Sequence, residues 1–311
     1  MKTMLVFSGV DFMGKKRIAF AFSLLLLAIS VGSLFSKGLE FGIDFTGGVL
    51  IEVGYQDAAD LPRIRRGLEA AGFASAQLQN FGTERDVLIR LLPQEGEESS
   101  DAVGEKILQV LSTQDPTVTL RRVEFVGPQV GEELREQGGL AMLFALLFIM
   151  AYVAFRFQWK FAVGAVAALA HDVVVTVGFF SVFNRPFDLA VLAAVLAVIG
   201  YSLNDTIVVF DRIRENFLRI RKSHALEVMN VSINQTLSRT LITSTTTLLV
   251  LLALFFLGGE AIHSFALALI VGVVIGTYSS IYVASSLALV LDVSTQDLMP
   301  PVTENELDEM P

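Results

Sequence analysis

The stretch Gly200–Asn216, GYSLNDTIVVFDRIREN, decides how the rest of the chain is read. It opens inside an apolar run that starts near Phe187 and carries Asn204 and Asp205 within that run. It closes in the alternating charges Asp211, Arg212, Arg214 and Glu215. A carboxylate inside a membrane-length helix is costly, and such residues mark ion paths and functional sites. Its meaning depends on where the flanking chain puts this helix.

Hydrophobic residues make up 53% of the 311 residues, and the mean hydropathy is +0.61. That is too apolar for a soluble domain of this length. Ile18–Ser36 is a run of nineteen residues without a charge, preceded by Lys15, Lys16 and Arg17. It is long enough to cross a bilayer and is read as an uncleaved first span. Residues 1–16 before it are expected to be weakly structured. Five further spans follow at Leu140–Phe157, Phe161–Phe183, Phe187–Phe210, Leu241–Leu257 and Phe265–Leu291.

Six spans return both termini to one side. That side would hold Lys2, Lys15, Lys16, Arg17, Arg156, Lys160, Arg212, Arg214, Arg219, Arg221, Lys222 and Arg239, which is 12 of the 23 basic residues. The short loops of the other side offer Arg185. By the positive-inside rule the N-terminus (1–17) and the tail (292–311) are cytoplasmic. The tail, with Glu304, Glu306, Asp308 and Glu309, reads as a solvated acidic end. Residues 211–238 are too polar to span. They read either as an amphipathic helix on the cytoplasmic interface or as an ordinary loop helix.

Residues 37–137 differ in kind and would lie outside. They carry 18 Asp/Glu against 10 Lys/Arg, a net of −8 within the chain total of −9. Val49, Ile51 and Val53 alternate as in a half-buried strand. Asp60 is placed to cap a helix that has Pro62 in its first turn and Ile64 and Leu68 on one face. Ala76–Phe81 and Asp86–Leu91 read as strands about the turn Gly82-Thr83-Glu84, Asp101–Leu111 as a second helix, and Val118–Val126 as a closing strand. The order βαββαβ is the α+β ferredoxin-like pattern. The expected fold is therefore a polytopic α-helical membrane protein of six transmembrane helices, with this domain between the first two. Residues 138–291 hold the other five.

Depth selects the candidate chemistry. Asp205 precedes Asp211 by six residues, roughly 9 Å along a helix, so it sits below the cytoplasmic surface while Asp211 and Arg212 mark the interface. Arg239 lies just before the fifth span re-enters from the same side, with Thr243 one turn deeper on its face. A carboxylate beside a cation and hydroxyls can load and release a proton; Arg239 as a snorkelling anchor and Asp205 as a structural hydrogen-bonding group are the plain alternatives. Asn204 reads as a helix-packing hydrogen-bonder or a member of the same site. His171 and Asp172, in the middle of the third span, form a possible second relay or bond to a neighbouring helix. Gly272 and Gly276 make a small-xxx-small pattern for close helix contact.

Other classes are poorly served. The absence of Cys excludes disulfides, thiol catalysis and Cys metal sites. His171, His224 and His263 have no metal-ligand spacing. Ser202 with His171 would make a dyad without an oxyanion-hole signature, no phosphate-cradling loop is present, and no basic patch invites nucleic acid. The chain does not read as an enzyme.

Five ordered segments resemble a known family: FGIDFTGG (Phe41–Gly48), FVGPQVG (Phe125–Gly131), YSLNDTIVVFDRIREN (Tyr201–Asn216), SRTLITSTTTLL (Ser238–Leu249) and GTYSS (Gly276–Ser280). They are similar to those of the SecF family, the smaller membrane partners of SecD in the bacterial protein-export complex, within the resistance-nodulation-division transporter class. SecD proteins are a poorer match, since they carry a large extra external domain for which residues 37–137 leave no room. Phe210 departs mildly, standing where relatives often have a small or polar residue. The resemblance implies an inner (plasma) membrane subunit that uses a proton or sodium gradient, with no other cofactor, to promote preprotein export alongside SecA-driven translocation. Its implied partners are SecD in a twelve-helix bundle, the SecYEG channel, SecA, YajC-type accessory subunits, unfolded preprotein and the lipid bilayer. Asp205 would match the family's membrane carboxylate, Arg239 its essential arginine and Thr243 its polar neighbour. A small-molecule exporter half of the same class and a non-conducting scaffold for SecD and the channel are the alternatives.

Overall fold

The computed structural model describes residues 9–92, 100–220 and 223–293. Lys2, Arg221, Lys222 and the acidic tail beyond Val293 lie outside the described residues. The chain opens with α1 (Lys16–Ser36), a two-residue strand β1 (Glu40–Phe41) and a single turn α2 (Ile43–Thr46). An α+β unit follows: β2 (Gly48–Gly54), α3 (Leu61–Ala70), β3 (Gln77–Phe81), β4 (Thr83–Leu91), α4 (Ser100–Gln114) and β5 (Thr119–Val126). The rest is helical apart from β6: α5 (Pro128–Arg156), α6 (Trp159–Val182), β6 (Pro186–Phe187), α7 (Leu189–Arg219), α8 (Ala225–Leu257), α9 (Glu260–Ser279), a π turn (Ser280–Ala284) and α10 (Ser285–Val290).

Among the described residues six helical runs are long and apolar enough to cross a membrane. The chain is a multi-pass helical membrane protein. Of the apolar windows of α6 and α7, 56% and 50% lie buried inside the chain, against 11% for α1 and α5. The bundle is thus built around α6, α7 and α9, and α1 and α5 line its outside. Packing in α1 is the reverse of a soluble helix. Ile18, Leu24 and Phe35 are exposed, while Ser23 and Ser30 are buried. Without water to drive apolar surfaces together, small residues that allow close approach hold membrane helices. A Cβ on Gly178 of α6 would meet the Ser30 Cβ at 2.2 Å, and the Ser33 and Ser181 hydroxyls bond at 2.8 Å. Gly272 and Gly276 serve α9 against α7 in the same way: their Cβ positions lie 2.1 Å from the Val198 side chain and 3.1 Å from that of Ser202.

The α+β unit has the strand order β3-β4-β2-β5 with antiparallel pairs throughout. Val49, Ile51, Val53, Val87, Ile89 and Leu91 face the helices and pack on Ile64 and Leu68 of α3 and on Val103, Ile107 and Leu111 of α4. Asp60 caps α3, accepting from the Arg63 N–H at 3.1 Å.

The FGIDFTGG segment is the joint between this unit and the bundle. β1 pairs in parallel with β6, Glu40 opposite Pro186 and Phe41 opposite Phe187. Phe41, Phe45 and Phe187 cluster with centroids 5.7–6.2 Å apart. Two carboxylates finish the N-terminus of α7: Asp188 accepts from the Val191 N–H at 2.8 Å and Asp44 from the Leu189 N–H at 3.0 Å. Gly47 and Gly48 have φ of +70° and +122°, where L side chains are strained. A Cβ would also sit 2.7 Å from Pro128 Cα and 2.2 Å from the Leu91 carbonyl oxygen, respectively.

Two expectations change. Residues 9–15 are fastened to α8: Asn234 exchanges hydrogen bonds with the backbone of Val10 at 2.8 and 2.9 Å, Asn230 accepts from the Met13 N–H at 2.9 Å, and Met13 is fully buried. Residues 211–238 do not form one helix on the interface. They are divided between the end of α7 and the start of α8, which continue past the apolar spans as a hairpin. Ile213, Phe217, Val228, Met229 and Ile233 fill its seam, and the Asn216 amide donates to Ser232 and Gln235 at 2.9 and 2.8 Å. Phe210 is fully buried, 4.8 Å from the Phe161 ring, over the gap left by Gly164.

Candidate functional site

Two carboxylates stand in the middle of the bundle. Asp205 on α7 is 6% exposed and Asp172 on α6 is 1% exposed. Neither is balanced by a salt bridge to Lys or Arg among the described residues. Hydroxyls hold them instead. Thr240 of α8 donates to Asp205 Oδ1 at 3.1 Å, and Ser280 at the start of the π turn to Oδ2 at 3.2 Å. Ser202 of α7 and Ser279 of α9 donate to Asp172 Oδ2 at 2.6 and 2.7 Å, and His171 Nδ1 lies 3.0 Å from Oδ1. A second chain of hydroxyls runs alongside, from Tyr201 to Ser244 at 3.4 Å and from Ser244 to Thr277 at 2.7 Å. Burial of a carboxylate in hydrocarbon is tolerable when each oxygen is hydrogen-bonded or the group is protonated.

The other sequence candidates divide by face. The Arg239 guanidinium makes no hydrogen bond among the described residues, although the next residue, Thr240, donates to Asp205. Arg239 and Asn204 are exposed, on the outer side of the α7–α8 pair. The Thr243 hydroxyl goes to its own helix, donating to the Arg239 carbonyl at 2.8 Å, as helix hydroxyls commonly do. Asp211 pairs with Arg156 at 3.2 Å at a half-exposed position, and Arg212 pairs with Glu215 at 2.6 Å. Such exposed pairs contribute little stability. Ser202 donates its hydrogen bond to Asp172 rather than facing His171 as a dyad. The sequence does not mark Ser279, Ser280 and Thr240 as carboxylate partners; their signals are their place in the GTYSS and SRTLITS segments and, for Thr240, the run of hydroxyls that opens the fifth span.

A cleft of about 590 Å³ separates the open face of the sheet from the end of the bundle where α7 begins. It is lined by Leu50, Gln77, Leu88 and Arg90 on one side and Asp188 and Leu189 on the other. Burial lowers the Arg90 guanidinium's pKa, against the nearby charge of Glu40.

Comparison with known proteins fits both halves of this arrangement. Residues 106–294 match the family model described as protein export membrane protein SecD/SecF, C-terminal, and residues 32–59 match the SecD/SecF GG motif. The Protein translocase subunit SecF of Vibrio alginolyticus is 52% identical over 306 residues, covering 97% of each chain. The chain belongs to the SecF family. The SecF of Escherichia coli O157:H7 is 45% identical, covering 97% of this chain and 94% of its own. Among solved structures, SecDF of Thermus thermophilus, titled a translocon-associated membrane protein, matches with a TM-score of 0.83 at 42% identity over 92% of this chain. SecDF in a super-membrane-facing form matches with a TM-score of 0.68 at 43% identity. The chain spans 39% of the length of either SecDF. A SecF-family chain is a subunit of the Sec protein-translocation pathway, a transport component. The GG-motif match contains the joint at Gly47 and Gly48, and the larger match contains both carboxylates with their hydroxyl partners.

Proposed function

We propose that this chain couples an ion gradient, of protons or sodium, to preprotein export through the SecYEG channel, working beside SecA as one half of a membrane complex with SecD. The supporting observation is the split around Asp205. Its inner side is satisfied by Thr240 and Ser280, while Asn204 and Arg239 lie exposed on the outer side at the same depth. A cation and an amide left facing lipid are expensive, so this face reads as half of a site that SecD helices complete. In this reading Asp205 carries the ion, Arg239 responds to its charge, and Asn204 and Thr243 line the path. His171 and Asp172 form the inner relay, and Asp211 and Arg212 stand at the cytoplasmic mouth. Both termini are cytoplasmic, and the α+β unit is a ferredoxin-like domain on the far side of the inner membrane. Nothing in the reading calls for a metal or an organic cofactor.

The test is export of a secreted reporter in cells carrying Asp205→Asn or Arg239→Met, with complex abundance measured alongside. Each variant should abolish the gradient-dependent part of export at unchanged abundance. Normal export in both would sink the ion-coupling reading and leave a scaffold.

A further inference from the structure

Asp172 and Asp205 belong to different helices, yet they are joined through two consecutive residues. Ser279 donates to Asp172 Oδ2 and Ser280 to Asp205 Oδ2. Neighbours on a helix diverge by about 100°, which lets one backbone step serve carboxylates on either side. The step falls where α9 passes into the π turn Ser280–Ala284. Single π turns inside α-helices are rare and occur frequently at functional sites. The carbonyl of Ser280 accepts a side-chain bond from Ser285, five residues on, at 3.2 Å. Gly276 keeps the space open, its Cβ position lying 3.1 Å from the Ser202 side chain and 3.6 Å from Asp172 Oδ2.

Each serine also has a second acceptor within reach. Ser279 Oγ lies 3.2 Å from the Gly276 carbonyl oxygen and Ser280 Oγ 3.1 Å from that of Thr277. A serine hydroxyl has one proton to donate. It points to the carboxylate when that group is ionised and is free to turn to the backbone when the carboxyl takes a proton. No proton leaves the serine. Because both hydroxyls hang from one turn, the geometry set by one carboxyl is felt by the other.

We propose that Ser279 and Ser280 are positioning residues that tie Asp172 to Asp205 across the π turn, so that the two carboxyls change protonation as one coupled pair. The proposal rests on Asp205 being the ion-carrying carboxylate. The titratable and charged groups around the pair are His171 on α6, Tyr201 on α7, Arg239 on α8, and Tyr278 and Tyr282 on the last helical run; α1 places the Ser23 hydroxyl against Tyr278.

The experiment is an infrared titration of the protonated-carboxyl band on the complete membrane complex, with the Asp205 band identified by its loss in Asp205→Asn. Asp172→Asn should move the Asp205 midpoint by about one pH unit, roughly tenfold in proton affinity. In a Ser279→Ala/Ser280→Ala background the same substitution should move it by less than about a third of that. Ser279→Thr/Ser280→Thr, which keeps both hydroxyls, should restore the shift. Equal shifts in the serine and alanine backgrounds, or no shift in either, overturn the proposal. If the double alanine variant fails to assemble, Ser280→Ala alone carries the comparison, since Asp205 keeps Thr240 there. Gradient-dependent export that survives Asp205→Asn would refute the ion-carrying reading separately, whatever the infrared coupling shows.

Discussion

Asp205 keeps its oxygens occupied from two other helical segments, Thr240 on one side and Ser280 on the other. The sequence shows the carboxylate, because an acid in an apolar run stands out. It does not show the donors, because a serine in a membrane helix bonds its own backbone by default. Only the placement of helices separates Ser280, which reaches Asp205, from Thr243, which bonds the Arg239 carbonyl. A different residue gives a pH test in the α+β unit. Burial, with the charge of Asp115 adding to it, pushes the Tyr55 hydroxyl up to about 12. The folded state thus favours the neutral phenol. Its contribution to stability is complete below the ordinary tyrosine pKa of about 10 and is lost as pH rises through the folded value. Thermal melts across this alkaline window should fall less steeply for Tyr55→Phe than for the unaltered chain. Identical slopes would show that Tyr55 does not govern the window.

At the scale of elements, α7 and α9 touch where Gly272 meets Val198. Gly272→Ala should cost about 1–3 kcal/mol through overpacking, read as a lower melting temperature of the extracted protein. Val198→Ala added to it should recover most of that loss, since the two side chains compete for one space. A double variant no better than the single would mean that close packing at this crossing is not what matters. The apolar spans and the βαββαβ order are legible because hydropathy and alternation report burial directly. The hairpin extension of α7 and α8 was not. Its seam is built from Ile213, Phe217, Met229 and Ile233 in a polar setting, a pattern that a lone surface helix would show as well. The fastening of residues 9–15 depends on Asn230 and Asn234, four residues apart on α8, and asparagines carry no periodic signal. The π turn leaves no mark in composition either.

For the whole molecule, orientation is the property that the asymmetry of basic residues argues most directly. The chain contains no cysteine, so each introduced thiol reports alone. In intact cells an impermeant maleimide should label Gln77→Cys and leave Ser223→Cys unlabelled until the membrane is opened. The reverse pattern would invert the topology. The same Gln77→Cys, and Arg90→Cys beside it on the neighbouring strand, should crosslink to an exported chain arrested in transit, and failure at both positions would count against substrate contact there. The joint at β1 and β6 then acquires a mechanical meaning. The strand leading into the α+β unit is paired to the loop that starts α7, and Asp44 holds the first turn of that helix. From Asp188 to Asp205 is seventeen residues of one helix, a rod of about 25 Å. A displacement of the α+β unit thus has a direct lever along this rod to the level of the buried carboxylates, beside the covalent path from β5 into α5.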